Sequence, residues 1–161
     1  MAQTFNNLGL VYKSKGEWER AIEFYQKDLE ISEKLGDRHG MAQTFNNLGL
    51  VYQSKGEWDR AIEFYQKSLE LKEKLGDRHG MALTWGNLGH VLFEKGETKE
   101  AIRLVALAVM VLHQIGDKPN ENICRKIMAG FIEKLGQEQF DKLLEEVREE
   151  YKSQVEESAD S

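Results

Sequence analysis

Residues 1–40 and 41–80 are one forty-residue block written twice, so each block must be able to pack on a copy of itself. The two differ at only five positions: Lys13/Gln53, Glu19/Asp59, Asp28/Ser68, Ile31/Leu71 and Ser32/Lys72. A third copy opens at Met81 and keeps Ala82, Thr84, Asn87, Leu88, Gly89, Gly96, Ala101 and Ile102. A fixed period of this length is the mark of a solenoid, in which each unit buries its apolar face only against its neighbours. Chains built this way bind partners far more often than they catalyse.

Within each block the apolar spacing is helical. Phe5, Leu8 and Tyr12 recur at intervals of three and four, as do Ala21, Ile22, Tyr25 and Leu29. Lys15-Gly16-Glu17 breaks the first helix where glycine can take the left-handed turn. Leu35-Gly36-Asp37 ends the second, and Asp37 is placed to cap the helix that follows. Each repeat therefore reads as a helix, a tight turn and a longer antiparallel helix.

These residues resemble the tetratricopeptide repeat. Gly9 and Ala21 stand where that family packs its two helices closely, Leu8, Tyr12 and Tyr25 at its bulky core positions, and Phe5 where its tryptophan often stands. The repeat is longer than the family's standard unit, the extra residues being Glu33–Gly40. Such long repeats with a Gly-Asp-Arg junction resemble those of spindle-orientation adaptors, kinesin light chains and bacterial and archaeal signalling proteins. The ending from Ile115 also resembles arrays that follow nucleotide-binding switch modules. The resemblance implies an all-α, right-handed solenoid of antiparallel helix pairs. The expected units are repeats at 1–40, 41–80 and 81–119, a degenerate capping hairpin at 120–155 and a disordered acidic tail at 156–161. In the capping hairpin Ile123, Ile127, Phe131 and Leu135 form one stripe and Phe140, Leu143, Leu144, Val147 and Tyr151 another. Asp141 replaces the small residue of the Ala101 position, so this hairpin must pack differently.

In the family the first helices line a concave groove. On that face fall Gln3, Asn6, Asn7, Leu10 and Lys13, then Gln43, Asn46, Asn47, Leu50 and Gln53, then Leu83, Gly86, Asn87, His90 and Glu94. Short polar side chains suit hydrogen bonding along an extended peptide. Asn7, Asn47 and Asn87 form a regular set, and an amide can pair with a peptide C=O and N–H together. The alternative is that this asparagine bonds to the neighbouring helix. Leu10 and Leu50 occupy the place of the second asparagine in the family's carboxylate clamp, which disfavours a chaperone C-terminus as ligand. His39 and His79 are read as turn histidines rather than metal ligands, and Trp18 and Trp58 as packing between repeats.

The net charge of −6 resides in the tail, where nine acids between Gln137 and Ser161 face Lys142, Arg148 and Lys152. With no basic stripe, nucleic acid is not an expected partner, and no apolar run reaches the length of a membrane span. The single Cys124 suits a reducing compartment, with the cytoplasm as the default. No nucleophile–base pair, phosphate loop or metal-ligand cluster is present, so neither enzyme activity, cofactor nor metal is expected. The expected function is a non-enzymatic scaffold that binds a protein or peptide segment in its groove. The alternatives are a sensor fragment of a larger switch protein or a self-assembling array. Homodimer formation has two candidate surfaces: Met1 and Phe5 at the N-terminal edge, which is core forty residues later, and Leu107 and Met110 on a helix that is apolar nearly all round.

Overall fold

A computed structural model describes the backbone of residues 2–159 and the side chains of residues 4–153. Met1 and the Gln3 side chain thus lie outside the described residues. Eight helices follow one another: α1 Ala2–Ser14, α2 Trp18–Leu35, α3 Arg38–Ser54, α4 Trp58–Leu75, α5 Arg78–Glu94, α6 Thr98–Ile115, α7 Lys118–Leu135 and α8 Gln137–Ala159. They pair as α1/α2, α3/α4 and α5/α6, and each pair stacks on the next. The fold is an all-α solenoid.

The turns follow from local chemistry. Gly16 and Gly36 take φ of 75° and 66°, a left-handed conformation open to glycine at little cost. Asp37, Asp77 and Asp117 each cap the next helix, accepting from the backbone N–H of Gly40, Gly80 and Asn120. A capping carboxylate satisfies one of the orphaned donors at a helix start.

The spacing within each hairpin is set by glycine. A Cβ on Gly9 would lie 2.5 Å from the Tyr25 ring, and one on Gly49 would lie 2.6 Å from Tyr65. In the third repeat the opposing residue is Val105, 2.5 Å from such a Cβ on Gly89. Tyr25, Tyr65 and Val105 are fully buried with Ala21, Ala61 and Ala101, and this line of residues is the spine of the core. Trp18 and Trp58 pack against it half-buried.

The fourth hairpin departs from this plan. The glycine position is now Ala129 and the tyrosine position Glu145, both exposed, and α7 joins α8 through Gly136 alone. Without the close contact, α8 packs against α6 as well as α7. Phe140 and Val147 are buried there, while Lys99 reaches Glu150 at 2.5 Å and Glu146 at 3.3 Å. Ile123 and Tyr151, expected on packed stripes, are exposed. The backbone from 156 to 159, expected to be disordered, continues as helix, since no glycine or proline interrupts the chain after Gly136.

The N-terminal edge behaves differently from its own copy. Val11 is 46% exposed and Val51 is 0%, although residues 1–12 and 41–52 are identical. Phe5 is half-buried, its ring 6.1 Å from that of Phe24.

The glycine contact predicts opposite effects of one methyl group. Gly49→Ala should destabilise the protein by about 2 kcal/mol through overpacking against Tyr65. Gly130→Ala, with open space around the new Cβ, should stabilise it by roughly 0.5–1 kcal/mol. Urea unfolding of the two variants beside wild type measures both.

Candidate peptide-binding groove

The inner helices α1, α3 and α5 line a concave cavity of about 610 Å³. Of the residues expected there, Asn6, Asn7, Leu10, Gln43, Asn46, Asn47 and Leu83 come together on its wall. His90 and Glu94 lie further along, at a second depression of about 330 Å³ between α5 and α7. That depression is floored by Phe93, Ile127 and Phe131, and the stacked rings of Phe93 and Phe131 are 4.0 Å apart. Lys13, Leu50, Gln53, Gly86 and Asn87 line neither hollow.

The asparagines at the matching position do not share one environment. Asn7 is exposed and Asn87 half-buried. Asn47 is buried and donates through Nδ2 to Asn6 Oδ1 at 3.1 Å, so part of its capacity is used within the fold. Gln53 is likewise engaged. Its Oε1 accepts from the Tyr65 hydroxyl at 2.6 Å, and its Nε2 lies 2.9 Å from His90 Nδ1. In the first repeat Lys13 replaces Gln53, and the buried Tyr25 hydroxyl is left without a partner. Burial pushes the Tyr25 phenol up to about 12 and holds the Lys13 ammonium below its usual range.

Residues from the outer helices and turns also reach the cavity, and sequence reasoning missed them. Asp28 and Ser32 of α2 and Lys72 of α4 form part of its lining, joined by the capping Asp37 and Asp77 and by His39 and His79. Two of the five differences between the repeats fall here, and that divergence was the available signal. His79 Nε2 stands 2.8 Å from Asp117 Oδ2, which ties one turn to the next. No cluster of three metal-ligating groups occurs among the described residues.

Asp28 is 2% exposed and Lys72 is 7% exposed. The Thr44 hydroxyl donates to the Asp28 carboxylate and accepts from Asn6 Nδ2 at 3.3 Å. One repeat later the charge is reversed. Lys72 Nζ donates to the Thr84 hydroxyl at 2.7 Å and to the Gly80 carbonyl at 3.2 Å. The Thr84 proton then has Gly80 O at 3.0 Å and Asn46 Oδ1 at 3.1 Å as acceptors. Thus the Asn6 amide donates to its threonine, whereas the identical Asn46 amide accepts. At the next junction the pair is Gly86 and Cys124, and the buried sulfur occupies the space of the missing amide.

Burial raises the Asp28 carboxyl above its usual range, partly offset by the Thr44 hydrogen bond. It pushes the Lys72 ammonium down to about 8, with Asp77 opposing the shift. The remaining differences are milder. Glu19 and Asp59 both pair across repeats, with Lys55 at 2.8 Å and Lys95 at 2.6 Å, in exposed bridges that contribute little. Nothing in the packing distinguishes Ile31 from Leu71.

With this geometry in view, the tetratricopeptide repeat family pattern matches residues 1–74 and 40–109. The chain belongs to the tetratricopeptide repeat family. No curated protein sequence matches it. Among solved structures, the tetratricopeptide chain is similar to BtubC (BKLC) from P. vanneervenii, with TM-score 0.67 and 18% identity over 96% of its length. It spans 64% of that chain. At this identity the likeness is one of fold. Tetratricopeptide arrays are generally protein-interaction modules without catalytic activity, and no described helix here is long and apolar enough to cross a membrane.

The buried ammonium gives a signed pH dependence. With a folded pKa near 8 and an ordinary value of 10.5, the unfolded chain holds more protons between those limits. Wild type should therefore gain about 2 kcal/mol relative to Lys72→Ser as pH rises from 7 to 10. Urea unfolding of both proteins across that range tests it, and a constant difference would disprove the assignment.

Proposed function

We propose that the protein is a non-enzymatic interaction scaffold whose concave groove binds an extended peptide or partner segment. The observation that carries this is the 610 Å³ cavity, which combines exposed amides with apolar steps at Leu10 and Leu83. An extended backbone needs donors and acceptors along its whole length, and amides such as Asn7 and Gln43 supply both. Asn47 and Asn87 flank this path, although Asn47 offers only its remaining amide capacity. Beyond the polar section the Phe93–Phe131 floor provides an apolar seat, so the groove has a direction. Leu50 and His90 would choose side chains of the ligand, His90 from the edge of the second depression.

The test is to pan a library of random peptides, about a dozen residues long, against the immobilised protein and measure the recovered sequences by fluorescence anisotropy. Asn7→Arg combined with Gln43→Arg should weaken binding by about tenfold or more. Both side chains are exposed, so the melting temperature should not change. Recovery of no peptide, or equal binding by the variant, rules out the groove.

A second reading, self-association through the convex face, is favoured by one observation. Leu107 and Met110 of α6 join Met128 and Leu144 around an apolar depression of about 540 Å³, with Met110 44% exposed. Another copy of the same face would cover it. If this holds, sedimentation equilibrium should give a concentration-dependent mass that Met110→Glu reduces to the monomer value. A constant monomer mass for wild type excludes it.

A further inference from the structure

The groove contains two buried charges of opposite sign, and neither is hydrogen-bonded to an opposite charge, although the Asp77 carboxylate lies near enough to Lys72 to favour its ammonium form. Asp28 and Lys72 are the most informative differences between otherwise identical repeats: position 28 is repeated as Ser68, and position 72 is preceded by Ser32. Among the described residues neither forms an ion pair. Asp28 has the Thr44 hydroxyl, while Lys72 has the Thr84 hydroxyl and the Gly80 carbonyl. An ammonium carries three N–H donors, and two are used here. A buried charge held only by neutral partners is costly unless a ligand supplies the opposite charge. Neither position requires a charge, since serine stands at the equivalent place in this same chain, Ser68 donating to the Ala42 carbonyl and Ser32 buried without a partner.

The surrounding groups amplify the contrast. At the Asp28 end Asn6 turns Nδ2 towards Thr44 and offers Oδ1, which Asn47 contacts. At the Lys72 end Asn46 turns Oδ1 towards Thr84, leaving its Nδ2 donors for the groove. The two amides thus point opposite ways, Asn6 with its oxygen and Asn46 with its nitrogen away from the threonine. Beside Asp28, the Ser32 hydroxyl is fully buried on the cavity wall and has no partner. Asp37 and Asp77 also line the cavity, but each has an oxygen engaged in capping its helix. His39 and His79 stand in the same turns, and His79 is engaged with Asp117.

We propose that the groove reads a charge-paired segment, with Asp28 receiving a cationic side chain and Lys72 receiving an anionic side chain of the same extended peptide. This rests on the groove reading above and adds the ligand's chemistry and direction to it. The ordinary face of the groove would bind many backbones alike. The two charges select one class and one orientation, because a reversed or uncharged segment leaves both ions unpaired.

The near-identical repeats supply matched variants. Asp28→Ser copies Ser68 and Lys72→Ser copies Ser32, so each installs a residue already packed at the equivalent site. A fourfold variant, Asp28→Ser, Ser32→Lys, Ser68→Asp and Lys72→Ser, exchanges the two environments. The probe is the same random peptide library, panned on wild type and on each variant. Wild type should recover peptides with one basic and one acidic residue in constant order and separation. Replacing the peptide's acid by its amide should weaken binding to wild type by about tenfold and have little effect on Lys72→Ser. Asp28→Ser should lose the preference for the basic residue, and the fourfold variant should recover the two charges in reversed order. Peptides that bind wild type, lose affinity on Asn7→Arg/Gln43→Arg, yet show no charge pattern would overturn this inference while leaving the groove intact. Absence of any groove-dependent peptide would overturn both.

Discussion

The contact between a glycine and a tyrosine ring governs the solenoid. Gly9 and Gly49 carry no Cβ, so Tyr25 and Tyr65 can lie directly against the backbone of the facing helix. That approach draws each pair of helices together and presents the first helix of every repeat to the same side. Close packing of this kind tolerates little change in volume. In the third repeat a valine fills the place of the ring, and in the fourth the contact disappears. With Ala129 and Glu145 in those positions, α8 is free to lean on α6, and the regular progression stops.

Once the spacing is set, polar groups between repeats fix their relation. The row Asp28–Thr44–Asn6–Asn47 joins the first two repeats, and Lys72–Thr84–Asn46 joins the second and third. A threonine hydroxyl has one proton, so the charge on its far side decides whether it donates to or accepts from the asparagine. Reversing that charge between repeats reverses the amide. Two identical asparagines thus present different chemistry at successive repeats, and a repetitive scaffold acquires a direction.

Much of the architecture was legible from spacing alone. The three- and four-residue intervals located the helices, the glycines marked the turns, and Asp37 was recognisable as a cap before its hydrogen bond to Gly40 was seen. Groove membership was only partly legible. Asn6, Asn7, Gln43, Asn47 and Leu83 reached the cavity as the helical face requires, but Asn47 spends an amide donor on Asn6, and Gln53 was taken up by Tyr65. The contribution of Asp28, Ser32 and Lys72 was not foreseen, because they belong to outer helices whose helical phase says nothing about reach into a neighbouring repeat. Burial of identical segments diverged for a similar reason: Val51 has a repeat on both sides, whereas Val11 has a described repeat on one side only.

The sequence by itself determined the period, the helix pairs and the turn positions, since each follows from local propensity and spacing. Close packing at Gly9 was implied by the family resemblance, and its tyrosine partner came from the tertiary structure. The tertiary structure alone decided which asparagines face the groove, which way their amides point, and that Asp28 and Lys72 are buried in one cavity with only neutral hydrogen-bond partners. Those outcomes depend on the charge and packing of a different helix in another repeat, which no local pattern contains.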